Sequence, residues 1–124
     1  MKIAVSATGP NLEADIDPRF GRCQHLIFVD TDTMQFEAQS NANVSAGGGA
    51  GISTAQTVTD QGVKAVLTGN MGPNAHQVLS GAGIPVITGV SGNIRDAIEA
   101  YKNGQFKAAS QPNVSAHSGM GDGG

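Results

Sequence analysis

Three glycine-stopped apolar repeats fill the second half of this chain, and they dictate most of what it can fold into. Ala75, Val78, Leu79 and Ala82 follow the i, i+3, i+4, i+7 spacing of a buried helix stripe, as do Ile94, Ala97, Ile98 and Tyr101. Ile52, Ala55 and Val58 give a third, shorter stripe over Gly51–Gln61. Gly62, Gly83 and Gly104 stand where each stripe ends, and glycine is the residue best suited to the left-handed turn that closes a helix. Pro73 suits a first helical position. Asn93 is a natural N-cap with Asp96 three residues on. Between these helices lie the strand-like runs Lys64–Thr68 and Ile84–Thr88.

The first half is strand-forming. Lys2–Ala7 and Cys23–Asp30 are β-prone, and Met34–Gln39 alternates apolar with polar at the period of a half-exposed strand. Thr31–Thr33 reads as the hairpin turn. Residues 11–22 look irregular and carry Glu13, Asp15 and Asp17, which are expected to form a solvated face. The order is therefore β-β-β-α-β-α-β-α. Helical crossovers demand parallel, right-handed connections, whereas the short early links demand antiparallel ones. A mixed five-stranded sheet in the order 3-2-1-4-5 meets both demands, which is a ribonuclease-H-like α/β arrangement.

This topology gathers loops on one edge. The exit of the first strand, the Gly21-Arg22-Cys23 entry to the second, the Asn41–Gly51 segment and the exits at Gly69–Gly72 and Gly89–Gly92 all fall at the same end. The strand order reverses between the first and fourth strands, where open α/β sheets leave a crevice for ligands. All three helices are expected to begin at this edge, and a helix amino terminus favours negative charge by roughly 0.3–1 kcal/mol. Arg19, Arg22, Gly47, Gly48, Gly49, Gly69, Asn70 and Gly72 are the candidate binding residues for an anionic ligand.

Cys23 and His76 are the soft side chains near that edge and hence the candidate metal ligands. Cys23 can alternatively be a small buried hydrophobe; beside Arg22, its thiolate is favoured. His25 is expected on the same strand face as Cys23, as a packed residue or a second ligand, but two ligands do not close a zinc site. His117 reads as solvated. No dinucleotide fingerprint, Gly-Lys-Ser/Thr phosphate loop or Gly-x-Ser-x-Gly elbow is present. Neither the first strand nor the exits of the last two carry the carboxylates that two-metal phosphoryl chemistry requires. No base–nucleophile pair is visible, so a binding protein is expected rather than an enzyme.

Size and charge agree. The chain has 124 residues, enough for one domain that buries roughly two-thirds of its unfolded surface. Its formal net charge of −3 offers no footprint for nucleic acid. It has neither a membrane-length apolar run nor an evident signal peptide, and its one cysteine precludes an internal disulfide. A cytoplasmic monomer or weak homodimer, with no nucleic-acid or membrane partner, is the simplest expectation.

Phe20-Gly21-Arg22-Cys23, Gly47–Gly51, Gly69-Asn70-Met71-Gly72-Pro73-Asn74-Ala75 and Ala82-Gly83-Ile84, in that order, resemble the dinitrogenase iron–molybdenum cofactor biosynthesis family over about residues 1–109. The resemblance implies a ribonuclease-H-like fold used for binding. It further implies a carrier of an iron–sulfur or iron–molybdenum cluster precursor, with metallocluster donor or acceptor proteins as partners. Family members often carry His immediately before Phe-Gly, where this chain has Arg19, and many end in a His-rich tail, where this one keeps glycine and only His117. One cysteine cannot supply the four thiolates of a conventional cluster site, so the cargo would be preassembled and anionic. The alternative occupant of the same edge is a small anionic or phosphorylated metabolite.

Ser110–Gly124 is rich in Ser, Gly and Asn, with almost nothing to bury. Deleting it is expected to move the thermal midpoint only slightly in a calorimetric comparison; a large drop would mean that the tail docks on the domain.

Overall fold

A computed structural model describes residues 1–41 and 50–106. The elements are β1 (Lys2–Ala7), β2 (His25–Asp30), β3 (Phe36–Ser40), α1 (Ala50–Asp60), β4 (Val66–Leu67), α2 (Pro73–Gly81), β5 (Val86–Ile87) and α3 (Ile94–Lys102). They form one five-stranded sheet in the order β3-β2-β1-β4-β5. β1 pairs antiparallel with β2 and parallel with β4; β2–β3 is antiparallel and β4–β5 parallel. The sheet order expected from the connections is the order observed.

The period-2 alternation of β1 divides the core in two. Ile3, Val5 and Ala7 join Ile27, Val29, Leu67 and Ile87 beneath Ile94, Ala97 and Ile98 of α3. Ala4 joins Leu26, Phe28, Val66 and Val86 beneath Ala55 and Val58 of α1 and Ala75 and Leu79 of α2. The molecule is thus a three-layer sandwich, with α3 on one face of the sheet and α1 and α2 on the other. No described helix is long and apolar enough to cross a membrane.

The helix boundaries follow their local chemistry. Asn93 caps α3 by accepting from the Asp96 amide at 3.1 Å. Gly62, Gly83 and Gly104 adopt φ of 68°, 75° and 75° just beyond the three helices, as the stop signals require. The strands deviate more. β4 and β5 are two residues long: Pro85 leaves β5 without a donor at its start, and beyond the strands the segments stay joined by bonds from Val66 N to Pro85 O, Thr68 N to Ile87 O and Gly89 N to Gly69 O. β3 begins two residues late, at Phe36, since Met34 sits at φ 63° and closes the turn with its amide on Asp30 O at 2.7 Å.

Charge is segregated among the layers. From Ala65 to Ile94 the sequence contains no Asp, Glu, Lys or Arg. The only formal charge on α1 or α2 is Asp60 at the end of α1, whereas α3 carries Arg95, Asp96, Glu99 and Lys102. Arg95 makes a 2.7 Å ion pair with Glu13.

Two backbone crossings hold the loop edge together, and both require glycine. A Cβ on Gly69 would lie 2.7 Å from Pro18 Cα, and one on Gly21 would lie 2.7 Å from Gly51 Cα. Around the first crossing, Asn70 N donates to Pro18 O at 2.7 Å and Phe20 N to Asn70 O at 3.1 Å. Gly69→Ala and Gly21→Ala are each expected to destabilise by about 1–3 kcal/mol, because backbone must move to admit the methyl. Gly81→Ala meets nothing within 4 Å on α2 and is expected to stabilise by about 0.4–1 kcal/mol. Thermal or urea unfolding of the three variants checks the contrast.

Candidate functional site

The crossings bring three segments around one cleft. Arg19–Arg22, Ala50–Ile52 at the start of α1 and Asn70–Ala75 leading into α2 enclose about 340 Å³. That is the lower end of the range for small-molecule sites. The bridge between Arg19 and Asn70 ties the first wall to the third, beside the β1–β4 switch point. Arg19 and Arg22 are the charged side chains among the lining residues, and among the described residues no carboxylate lines the cleft.

Two helix amino termini open here rather than three. The amide ends of α3 are already occupied: Ile94 N donates to Ala14 O at 2.9 Å and Arg95 N to Leu12 O at 3.1 Å, in addition to the Asn93 cap. α3 also lies across the sheet from the cleft. α2, by contrast, starts at Gly72 with no side-chain cap, so its first-turn amides are not claimed by a capping side chain. Its neighbour α1 begins on the cleft wall at Ala50.

Asp17 lies beneath Arg19. It was expected to be solvated with Glu13 and Asp15, but it is 3% exposed. Its carboxylate accepts from Arg19 N at 3.1 Å and Gln24 N at 3.2 Å, with Arg19 Nε 3.9 Å away. Two backbone donors make up for the water it loses, so it holds the Pro18–Gln24 turn in shape. On the same backbone, Ser6 Oγ donates to Asp17 O at 2.8 Å and lies 2.7 Å from Thr68 Oγ1, joining the loop to β1 and to the exit of β4.

The soft side chains sit elsewhere. Cys23 has no exposed surface and packs with Leu26 and Phe28 on the α1–α2 face. Burial, and then the charge of Asp17, push its thiol up to about 12, against the thiolate that Arg22 was expected to favour. His25 does not share its face. β2 begins only at His25, which has the parity of Ile27 and Val29 on the α3 side. His76 is 7% exposed on α2, with Nδ1 3.3 Å from Ser80 Oγ. Neither Cys23 nor His76 lines the cleft. Among the described residues, no group of three or more His, Cys, Asp or Glu side chains could hold a metal ion.

Of the candidate binding residues, Arg19, Arg22, Asn70 and Gly72 line the cleft. Gly69 instead serves the crossing with Pro18. Gly47, Gly48 and Gly49 lie outside the described residues. Sequence reasoning missed Met71, Asn74 and exposed Ile52, which complete the wall. The signal for the first two was present, since both lie inside the Gly69–Ala75 motif.

Known proteins match this architecture. The orange protein of Desulfovibrio gigas, solved in its apo form, superposes with a TM-score of 0.88 at 41% identity, over 91% of this chain and 96% of that one. A Thermotoga protein provisionally named NifB gives a TM-score of 0.75 at 27% identity, over 86% of this chain and 91% of its own. An uncharacterised protein of Methanocaldococcus jannaschii is 27% identical over 110 residues, which is 86% of this chain and 90% of that protein. The family model described as dinitrogenase iron-molybdenum cofactor matches residues 1–104, the segment that contains both crossings and every wall of the cleft, and the chain belongs to that family.

Proposed function

We propose that the chain is a non-catalytic carrier of a preassembled, anionic metallocluster or cluster precursor of the iron–sulfur or iron–molybdenum class. The observation that carries this reading is the cleft itself: two helix amino termini and two arginines, with no carboxylate among the described lining residues, on a chain of net charge −3. Family membership supports the class of cargo.

The donor set defines how such a cargo would be held. Cluster sulfides and oxygens accept hydrogen bonds, and the cleft offers backbone N–H groups of α1 and α2 together with guanidinium forks. The cargo keeps its own inner ligands, since no thiol or imidazole faces it among the described residues. Each helix terminus contributes roughly 0.3–1 kcal/mol, up to about 2 where partly buried, and a hydrogen bond from a charged donor about 1.5–3 kcal/mol. After the loss of translational freedom, these amounts support reversible retention, which suits a cargo that must be passed on. Met71 and Ile52 add apolar wall against the cluster body.

Anaerobic loading with isolated iron–molybdenum cofactor, and separately with ferrous iron and sulfide, followed by desalting and metal analysis, tests the reading. The protein is expected to retain metal at low ionic strength and lose much of it between about 0.1 and 1 M salt, as the screening length contracts from ~10 to ~3 Å. Arg19→Ala with Arg22→Ala is expected to lower retention roughly tenfold or more, at about 1.4 kcal/mol per decade. Cys23→Ala and His76→Ala should leave it near the parent value. Loading that survives loss of both arginines but fails on loss of Cys23 and His76 would replace charge-based holding with direct ligation through a locally opened site. Retention of inorganic phosphate with no metal in either loading would favour the anionic-metabolite reading.

A further inference from the structure

The cleft wall that carries Arg22 has no regular secondary structure of its own, yet the carbonyls of the residues before and after Arg22 are held from below by two buried side chains. Asn41, just past β3, is 4% exposed, and Thr54 on α1 is fully buried. Asn41 Nδ2 donates to Cys23 O at 3.0 Å and lies 3.3 Å from Thr54 Oγ1. Thr54 Oγ1 in turn donates to Gly21 O at 3.1 Å. The protons balance: one amide hydrogen goes to Cys23 O, the other to the threonine hydroxyl, and the hydroxyl hydrogen to Gly21 O. The backbone amide of Asn41 adds a bond to Gln24 O at 3.0 Å. The Gly21 carbonyl belongs to the peptide group entering Arg22 and the Cys23 carbonyl to the Cys23–Gln24 peptide, so the relay anchors the chain just before Arg22 and one residue beyond it. It also ties that backbone to α1, whose amino terminus forms the adjoining wall.

We infer that Asn41 and Thr54 are positioning residues of the cleft: they lock the Gly21–Cys23 backbone so that the Arg22 guanidinium and the amino terminus of α1 face one ligand together. This rests on the carrier reading above. The physical reason is preorganisation. A guanidinium on an irregular turn would otherwise lose backbone as well as side-chain freedom on binding, and that loss would subtract from affinity. A fully satisfied buried network removes the backbone part in advance. The role differs from that of the glycine crossing nearby, which sets how close the chains approach; the relay sets the orientation of the peptide planes. Cys23 enters it through its carbonyl. The Cys23 thiol, 3.6 Å from Asn41 Nδ2, is at most a weak acceptor there.

The test uses the full chain, anaerobically loaded with isolated iron–molybdenum cofactor, and four variants: Thr54→Val, Thr54→Ser, Arg22→Ala and Arg22→Ala with Thr54→Val. Valine keeps the volume and removes the hydroxyl; serine restores the hydroxyl. Thr54→Val is expected to weaken retention roughly two- to tenfold, the lower part of the range for coupled neighbours, and Thr54→Ser to recover most of it. In the Arg22→Ala background the valine should cost little more, because the group it positions is gone. Equal losses in both backgrounds would mean a general structural role and overturn the inference. Amide hydrogen exchange of the unloaded variants supplies a reading independent of cargo. Faster exchange confined to the Gly21–Gln24 segment upholds the positioning role; unchanged exchange there, or acceleration across the whole sheet, overturns it. A parent protein that retains no cofactor would defeat the carrier reading, and the exchange result would still decide the relay. Should Thr54→Val fail to fold, Asn41→Ala with the same two readouts takes its place.

Discussion

Contact between bare backbones is the constraint on which this molecule depends. Where Gly69 meets Pro18 and Gly21 meets Gly51, there is no room for a side chain, and the three walls of the cleft exist because the chain can come that close. The sheet delivers the segments to the same edge, but a sheet alone would leave them as separate loops. The crossings and the buried Ser6–Asp17–Thr68 hydrogen bonds turn them into one surface. Regular secondary structure satisfies its own polar groups; here the irregular Pro18–Gln24 turn is satisfied by a carboxylate, by neighbouring backbone and by the Asn41–Thr54 relay.

Those contacts also account for what could be read from the sequence. Helix stripes, glycine stops and connection lengths are local signals, and they suffice for the strand order. Pro73 and Asn93 stood where α2 and α3 begin because their chemistry acts within a single turn. Strand ends were harder to place. Met34 has no feature that announces a positive φ, and Pro85 shortens β5 through the donor it lacks, an effect that depends on its neighbour across the sheet.

The site was legible in outline only. Arg19, Arg22, Asn70 and Gly72 were candidates because topology and charge both pointed to the switch point, and they line the cleft there. Cys23 was drawn towards the ligand through its neighbour Arg22, but a charge one residue away counts for less than full burial and an adjacent Asp17. Asp17 was misread for the converse reason. Its sequence surroundings are polar, and only the fold reveals the two amides that make burying it affordable. The engagement of α3 by Leu12 and Ala14 is a contact between distant segments that no local pattern encodes. Family resemblance compressed much of this information into a few motifs, of which Gly69–Ala75 spans one whole wall.

The segregation of charge has a consequence for how the molecule meets others in solution. With formal charge almost absent from α1 and α2 and four charged side chains on α3, the two helical layers of the domain differ in charge. An approaching macromolecule finds the α1–α2 layer electrostatically quiet: close approach there strips few ions of their water and meets little like-charge repulsion. The opposite layer carries four charged side chains on α3 and is costlier to desolvate. A single fold thereby separates a side that is costly to desolvate from one that is cheaper to approach closely, and the arginine-rimmed cleft lies where α1 and α2 begin on the latter.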